Sequence, residues 1–352
     1  MPGVIRAVIA HGAHDLRVET VAAQPLSDHD VEIGTVVGGI CGSDLHYYYR
    51  GGVGDFTIKE PLVLGHEIAG VVRRTGGSVT SVAAGHRVVI DPAVSCGICA
   101  QCRRGRRNLC TDVRFLGSAA RIPHAQGGFR DRLVVHAGQC VPVPDELSLE
   151  HAVFAEPLAV AVHAVGRAGP ILNRDVLITG AGPIGLLTLL VALRAGAATV
   201  TVTDICAAPL TAARRLGAAA TINVSGQAEV PDADIAIDAS GAPAGLDSCL
   251  ASVRPGGRVV LVGLLPTGSV PVAGNRAVTR EIELVGSFRF TWEDFRAAVA
   301  MLSSGLGVAP LLTGRFPLAE TTRAFEVAGD RERALKVQLL FSEADDARGA
   351  VR

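Results

Sequence analysis

Lysine is almost missing from this chain of 352 residues: only Lys59 and Lys336 break a basic complement that is otherwise arginine. With so much alanine, that bias reflects a GC-rich genome and excludes no function. Excess charge of one sign is missing too. Formal net charge is −1 and charged residues make up 19%, which excludes a disordered charged tail and a general nucleic-acid binder. The first residues, MPGVIRAVIAHGAHDLRVE, lack a long apolar region and a small-residue cleavage site, so no secretory signal is expected and a cytoplasmic location is. One uncharged run, Val176 to Leu193, has the length of a membrane span. It reads VLITGAGPIGLLTLLVAL, and the GAGPIG in its middle separates a buried strand from a buried helix, so no membrane partner is expected. What is present in quantity is apolar surface, 49% of residues, enough for two domains with large cores.

Four of the eight cysteines fall in one short run, Cys96-x2-Cys99-x2-Cys102-x7-Cys110. A reducing compartment disfavours disulfides. Cys-x2-Cys steps let thiolates converge on one ion, and four thiolates suit tetrahedral zinc. Gly97 and Gly105 help the chain turn, and Arg103, Arg104, Arg106 and Arg107 offset the charge of a tetrathiolate centre. Free thiols and an iron–sulfur cluster are the lesser alternatives. Four thiolates leave no open position, so such a zinc is structural, and any chemistry lies elsewhere. A zinc-ribbon nucleic-acid binder built on this run has only the local arginines in its favour.

The segment VLITGAGPIG predicts a strand, a glycine turn and a helix start, with Gly180, Gly182 and Gly185 forming G-x-G-x-x-G. Val176 to Thr179 is an apolar β-branched run, and the helix pattern from Leu186 to Arg194 closes at Gly196. A second strand, TVTVTD, ends in Asp204, nineteen residues after Gly185. A carboxylate there bonds the adenosine ribose diol and repels a 2′-phosphate. The next arginines in sequence, Arg214 and Arg215, sit a helical turn or more away, so NAD is favoured over NADP. Strands at 234–239 and 258–263, the latter after Pro255-Gly256-Gly257, complete an alternating strand–helix pattern and predict a parallel sheet.

Three further fragments are ambiguous singly: ICGSDLHYYY with Cys41, Ser43, Asp44 and His46; LVLGHEIAGVVRRTGGSV with His66 and Glu67; and FAEPLAVAVHAV with Glu156. With the cysteine run and the G-x-G-x-x-G, in this order, they resemble the zinc-dependent medium-chain dehydrogenases over nearly the whole chain. The resemblance implies an α/β fold: a Rossmann doubly wound parallel sheet plus a GroES-like β-rich catalytic domain. The catalytic domain would span 1–155, with its zinc lobe at about 93–112. The Rossmann domain would span 156–289, and 290–352 would return to the catalytic domain.

The same resemblance implies a catalytic zinc on Cys41 and His66, with Glu156 as the third protein ligand or the holder of the zinc-bound water, and Glu67 entering or leaving the shell. Ser43 would accept the substrate proton, and His46 would pass it to solvent or serve only structure. A helix-capping hydroxyl is the other role for Ser43, and Asp44 would support the loop. Cofactor contacts would come from Gly180, Gly182, Pro183, Ile184, Gly185, Asp204, Val262, Gly263, Leu264, Phe288 and Arg289, and substrate contacts from Tyr47, Arg114, Phe115 and Arg289. Pro209 stands where sorbitol dehydrogenases carry an arginine near the ribose. The family forms dimers and tetramers, and its polyol branch implies a homotetramer.

Within the family, the stretches Arg114 to Phe129, Phe154 to Ala164, GSFRF and AGDRERALKVQL resemble the L-idonate 5-dehydrogenase group. That implies a sugar acid as the small-molecule substrate, oxidised at C5. A carboxylate on the substrate calls for a cation, and Arg289, Arg114, Arg50 and Lys59 are the candidates. A sorbitol- or xylitol-type polyol dehydrogenase and a non-catalytic nucleotide-binding relative are the alternatives.

Overall fold

The computed structural model describes residues 3–226 and 228–341. The expected domains 1–155 and 290–352 therefore extend, at residues 1–2 and 342–352, outside the described part.

Alternating apolar residues form the β-rich part. Asp30–Gly39 is buried along almost its whole length and is the centre of a seven-stranded sheet. It pairs antiparallel with Glu67–Thr75, Arg132–His136 and Lys336–Leu340. Arg87–Ile90, Cys140–Pro142 and Leu312–Pro317 extend the sheet outward. A second layer of three strands, Asp15–Ala22, Val4–Gly12 and Leu62–Val63, packs beside it. This arrangement brings Cys41, at the end of the first central strand, next to His66 and Glu67, which open the second.

The other part is a six-stranded, wholly parallel sheet. Its order across the sheet is Ala220–Asn223, Thr199–Asp204, Asp175–Thr179, Ala233–Asp238, Val253–Leu261, Glu283–Gly286. In order of appearance this is 3-2-1-4-5-6, the doubly wound dinucleotide-binding topology, whose ligand crevice opens at the strands' carboxyl ends where the order reverses. The run that is long enough for a membrane splits as its glycines require, into the strand Asp175–Thr179 and the helix Pro183–Arg194. Among the described residues no helix is long and apolar enough to cross a membrane. Pro255-Gly256-Gly257 lies inside a strand, not before it: Val253 already pairs with Ala233, and the glycines absorb a register shift.

Helix Ala155–Ala168 starts at the expected first boundary. After residue 290 the chain does not return at once. Helix Trp292–Ser303 buries Phe295, Ala298, Val299 and Leu302 in a core shared by the parallel sheet and, through Val37, Ala69 and Val89, the first sheet. The chain rejoins the first sheet only with Leu312–Pro317 and Lys336–Leu340.

Candidate active site

Cys41 closes the N-terminus of helix Gly42–Arg50, and His66 and Glu67 open the strand Glu67–Thr75. One ligand atom from each of Cys41, His66 and Glu67 lies within 4.8 Å of the others. His66 and Glu67 are buried, with Glu67 at 0% exposure. Glu67 Oε2 has no hydrogen-bond partner among the described residues. Such an orphaned carboxylate oxygen beside a thiolate and an imidazole fits a divalent cation that takes S, N and O ligands. The carboxylate has its room because residue 39 is glycine: a Cβ there would stand 2.0 Å from Oε2. Asp44, wholly buried, supports the loop by accepting N–H bonds from Cys41 (3.0 Å) and Gly65 (3.2 Å), and lies 3.8 Å from His66 Nδ1. Glu156, on the first turn of helix Ala155–Ala168, is a neighbour of this cluster but not within it. Burial pushes its pKa up to about 7, against the pull of His66 and with a further push from Glu67.

Ser43 and His46 share the helix that Cys41 starts. Because Cys41 occupies the capping position, Ser43 lies inside the first turn and does not cap the helix. His46, one turn on, is exposed, and its pKa is held below the ordinary value by burial of its ring and by Arg50. Tyr47, expected as a substrate contact, lies on the next turn of the same helix. It is buried at 3% exposure, and its hydroxyl accepts the Ala119 N–H at 2.9 Å.

Cys96, Cys99, Cys102 and Cys110 converge within the same distance limit and form no disulfide. Backbone N–H groups point at the sulfurs: Cys96 and Asp112 at Cys110, Cys99 at Cys96, and Cys102 at Cys99, all between 3.3 and 3.5 Å. N–H groups of Cys102 and Thr111 draw the Cys99 thiol down to about 5. Donors arranged on sulfur in this way stabilise thiolates, the form that holds zinc. The lobe is closed by the short ladder between Ala93–Val94 and Arg114–Phe115.

At the crevice of the parallel sheet, Gly180 and Gly185 make close approaches that only glycine allows. A Cβ on Gly185 would meet the Gly180 carbonyl oxygen at 1.8 Å, whereas one on Gly182 would meet nothing within 4 Å. The turn is therefore tight behind and open in front, where the helix that begins at Pro183 and Ile184 offers its N-terminus to a pyrophosphate. Asp204 ends the adjoining strand, and its Oδ2 accepts the Ala181 N–H at 2.7 Å. Val262 and Gly263 both donate to the Asp238 carbonyl, and Leu264 beyond them is 72% exposed. Pro209 is buried in helix Ala207–Arg215, and Arg214 bonds Thr221, not Asp204.

Of the four cations, Arg289 is linked to the metal cluster through one aromatic ring. Its guanidinium lies 5.0 Å from the Phe115 ring centroid and 4.7 Å from that of Phe288, and Phe115 in turn lies 5.4 Å from the His66 ring. Burial holds its pKa below the usual arginine value, while Glu156 and Cys110 pull it up. It adopts φ +53°, in the left-handed region. Phe115 and Arg289 also border a cavity of about 490 Å³ shared with Asp91, Arg107, Asn108 and Gln139. Arg114, Arg50 and Lys59 are exposed.

Three groups were missed in the sequence. Lys336, 3% exposed, donates to Glu67 Oε1 at 2.5 Å and to the Ile40 carbonyl at 3.1 Å. Burial works against its charge, but Glu67 and Cys41 outweigh it and hold its pKa above the ordinary value. A retained lysine in a chain that otherwise uses arginine was the available signal. Asn108 donates to the Phe288 carbonyl at 2.9 Å, and Arg331 pairs with Asp204 at 2.7 Å. Neither had a local signal.

The alcohol dehydrogenase GroES-like domain family matches residues 27–145, and the zinc-binding dehydrogenase family matches residues 183–304. L-idonate 5-dehydrogenase (NAD(P)(+)) of Escherichia coli is 40% identical over 312 residues, covering 86% of this chain and 90% of that one. Sorbitol dehydrogenase of Bacillus subtilis is 34% identical over 338 residues, covering 93% and 94%. The crystal structure of L-idonate 5-dehydrogenase from Escherichia coli superposes with a TM-score of 0.91 at 36% identity, covering 97% and 99% of the two chains.

Proposed function

Since the chain belongs to the zinc-dependent medium-chain dehydrogenases, in their polyol branch, we propose that it oxidises L-idonate at C5 to 5-keto-D-gluconate, reversibly, with NAD. The observation that carries the sugar-acid reading is the placement of Arg289. It is an under-solvated cation one aromatic ring away from the His66 imidazole. A half-buried guanidinium at that distance favours a carboxylate on the far end of the substrate over a neutral hydroxymethyl group. The 40% identity to the Escherichia coli enzyme supports the same reading, and the sorbitol dehydrogenases, at 34–36%, support the coarser one.

Cys41, His66 and Glu67 would hold the catalytic zinc, with Glu156 beside it; Cys96, Cys99, Cys102 and Cys110 would hold the structural zinc. Bound there and in the crevice, zinc supplies a Lewis acid for the substrate hydroxyl, and NAD supplies the hydride acceptor. The Ser43 hydroxyl, two residues after Cys41, accepts the proton of that hydroxyl. His46 lies three residues further along one helix face; desolvation of its ring and Arg50 hold its pKa below the ordinary value, and its ring takes the proton from Ser43 and gives it to solvent. Lys336 holds one oxygen of Glu67, which leaves the other free for the metal. Phe115 and Phe288 cover Arg289 and keep water from its guanidinium. Phe288 and Arg289 would also contact the cofactor. Soluble assembly as a homotetramer follows the family and is part of the proposal.

Replacing Arg289 by alanine tests the reading. Loss of a charge-assisted bond to the substrate raises KM for L-idonate by about ten- to a hundredfold and leaves KM for sorbitol within about threefold. Equal losses on both substrates would return the assignment to a neutral polyol.

A further inference from the structure

Asp204 stands where an acidic side chain engages the adenosine ribose, and alone it would repel a 2′-phosphate. It does not stand alone. Its side chain, 2% exposed, accepts the Cys206 N–H at 2.9 Å, the Ala181 N–H at 2.7 Å and the Arg331 guanidinium at 2.7 Å. Arg331 arrives from the turn between helix Thr321–Gly329 and strand Lys336–Leu340, 127 residues away in the chain. That turn is well built. Asp330 accepts the Glu332 N–H with its side chain, and its carbonyl accepts the N–H groups of Arg333 and Ala334. It continues into the strand whose Lys336 pairs with Glu67, so Arg331 is tied to the sheet that carries the metal site. Half of the Arg331 side chain, 51%, stays exposed on the open side of the pair.

We propose that Arg331 is a cofactor-specificity residue: its guanidinium neutralises Asp204 and receives the 2′-phosphate of NADP, so that the crevice admits NADP as well as NAD. A carboxylate already bonded to a guanidinium presents little net charge to an incoming phosphate. The fork geometry of arginine lets it hold Asp204 with one N–H and a phosphate oxygen with others. With NAD, the ribose diol shares the Asp204 oxygens and Arg331 contributes little. The chain thus carries, from a distant segment, the cation that its own second strand and following helix lack, where Pro209 is buried and Arg214 turns to Thr221. The inference rests on the dehydrogenase reading above.

The test is a fluorescence titration of the zinc-loaded protein with NADH and with NADPH, for the natural sequence, Arg331→Ala and Arg331→Lys. The natural protein binds both. Arg331→Ala weakens NADPH by about ten- to a hundredfold and leaves NADH within about threefold; Arg331→Lys, which keeps charge but not the fork, falls between for NADPH. Equal changes for both cofactors in Arg331→Ala, or an unchanged Kd for NADPH, would overturn the inference. Binding of NADH but not NADPH by the natural protein would overturn it and leave the dehydrogenase reading standing. Binding of neither would overturn both.

Discussion

Removing the Asn108 side-chain amide would separate the zinc lobe from the arginine it steadies. Asn108, 8% exposed, sits on the short helix Arg107–Leu109 within the four-cysteine lobe. It donates to the Phe288 carbonyl at 2.9 Å, on the residue just before Arg289. On the other side of Arg289, the amide N–H and hydroxyl of Thr291 both donate to Asp294 at 2.8 Å, and His163 braces the same carboxylate. The two anchors hold Arg289 at φ +53°, a conformation that costs a bulky residue about 1–3 kcal/mol. The amide bond to Phe288 contributes about 1–2 kcal/mol against that strain. Asn108→Ala therefore lets the Phe288–Arg289 segment relax, and the strained arrangement falls in population by about 5- to 30-fold. Steady-state kinetics should show KM for L-idonate rising by about that factor, with kcat and the KM for sorbitol within about threefold. Zinc content should stay at two per chain. A loss equal on both substrates, or none, would refute the link between lobe and arginine.

Cys99→Ser should lower zinc content from two to one per chain and lower the melting temperature, read by metal analysis and thermal unfolding; unchanged zinc and stability would remove the structural-zinc assignment. Lys336→Met leaves Glu67 buried without its partner, a loss of about 3–5 kcal/mol in stability, and adding Glu67→Gln should restore most of it. Thermal unfolding of the single and double variants checks this, and a single variant as stable as the natural protein would contradict it. Asp91 is pushed up to about 6, chiefly by burial. The folded state then binds its proton more tightly than the unfolded state, so the contribution of Asp91 to stability is greatest below about pH 4 and is lost as pH rises through about 6. Asp91→Asn keeps an acceptor for the Ala93 N–H, 2.9 Å from the Asp91 carboxyl, and should gain about 2–3 kcal/mol over the natural protein at about pH 8 and nothing at about pH 4. A gain that does not change with pH would count against it.

What the sequence disclosed was local. The cysteine run, Gly65-His66-Glu67 and GAGPIG each carry their chemistry within a few residues, and each element formed where its spacing required. The Rossmann and GroES-like parts followed from them. The hidden groups act across long separations. Lys336 meets Glu67 over 269 positions, Asn108 meets Phe288 over 180, and Arg331 meets Asp204 over 127. No periodicity or motif links such pairs: Lys336 and Glu67 meet because their strands flank Asp30–Gly39 in one sheet, and the other two pairs meet through tertiary packing of distant segments. Tyr47 shows a second limit: the sequence beside a ligand loop does not disclose that the tyrosine hydroxyl accepts the Ala119 N–H, 72 positions away. The segment after 290 is hard to read for the same reason, since an amphipathic helix does not state which core its apolar face joins.

The most direct test is the rate of NADH formation by the zinc-loaded protein with L-idonate, D-gluconate, D-sorbitol and xylitol, repeated after chelation of the metal. The account predicts the highest kcat/KM with L-idonate and loss of turnover on chelation, restored by zinc. A preference for sorbitol or xylitol would contradict the sugar-acid assignment, and turnover that survives complete zinc removal would contradict the role given to Cys41, His66 and Glu67.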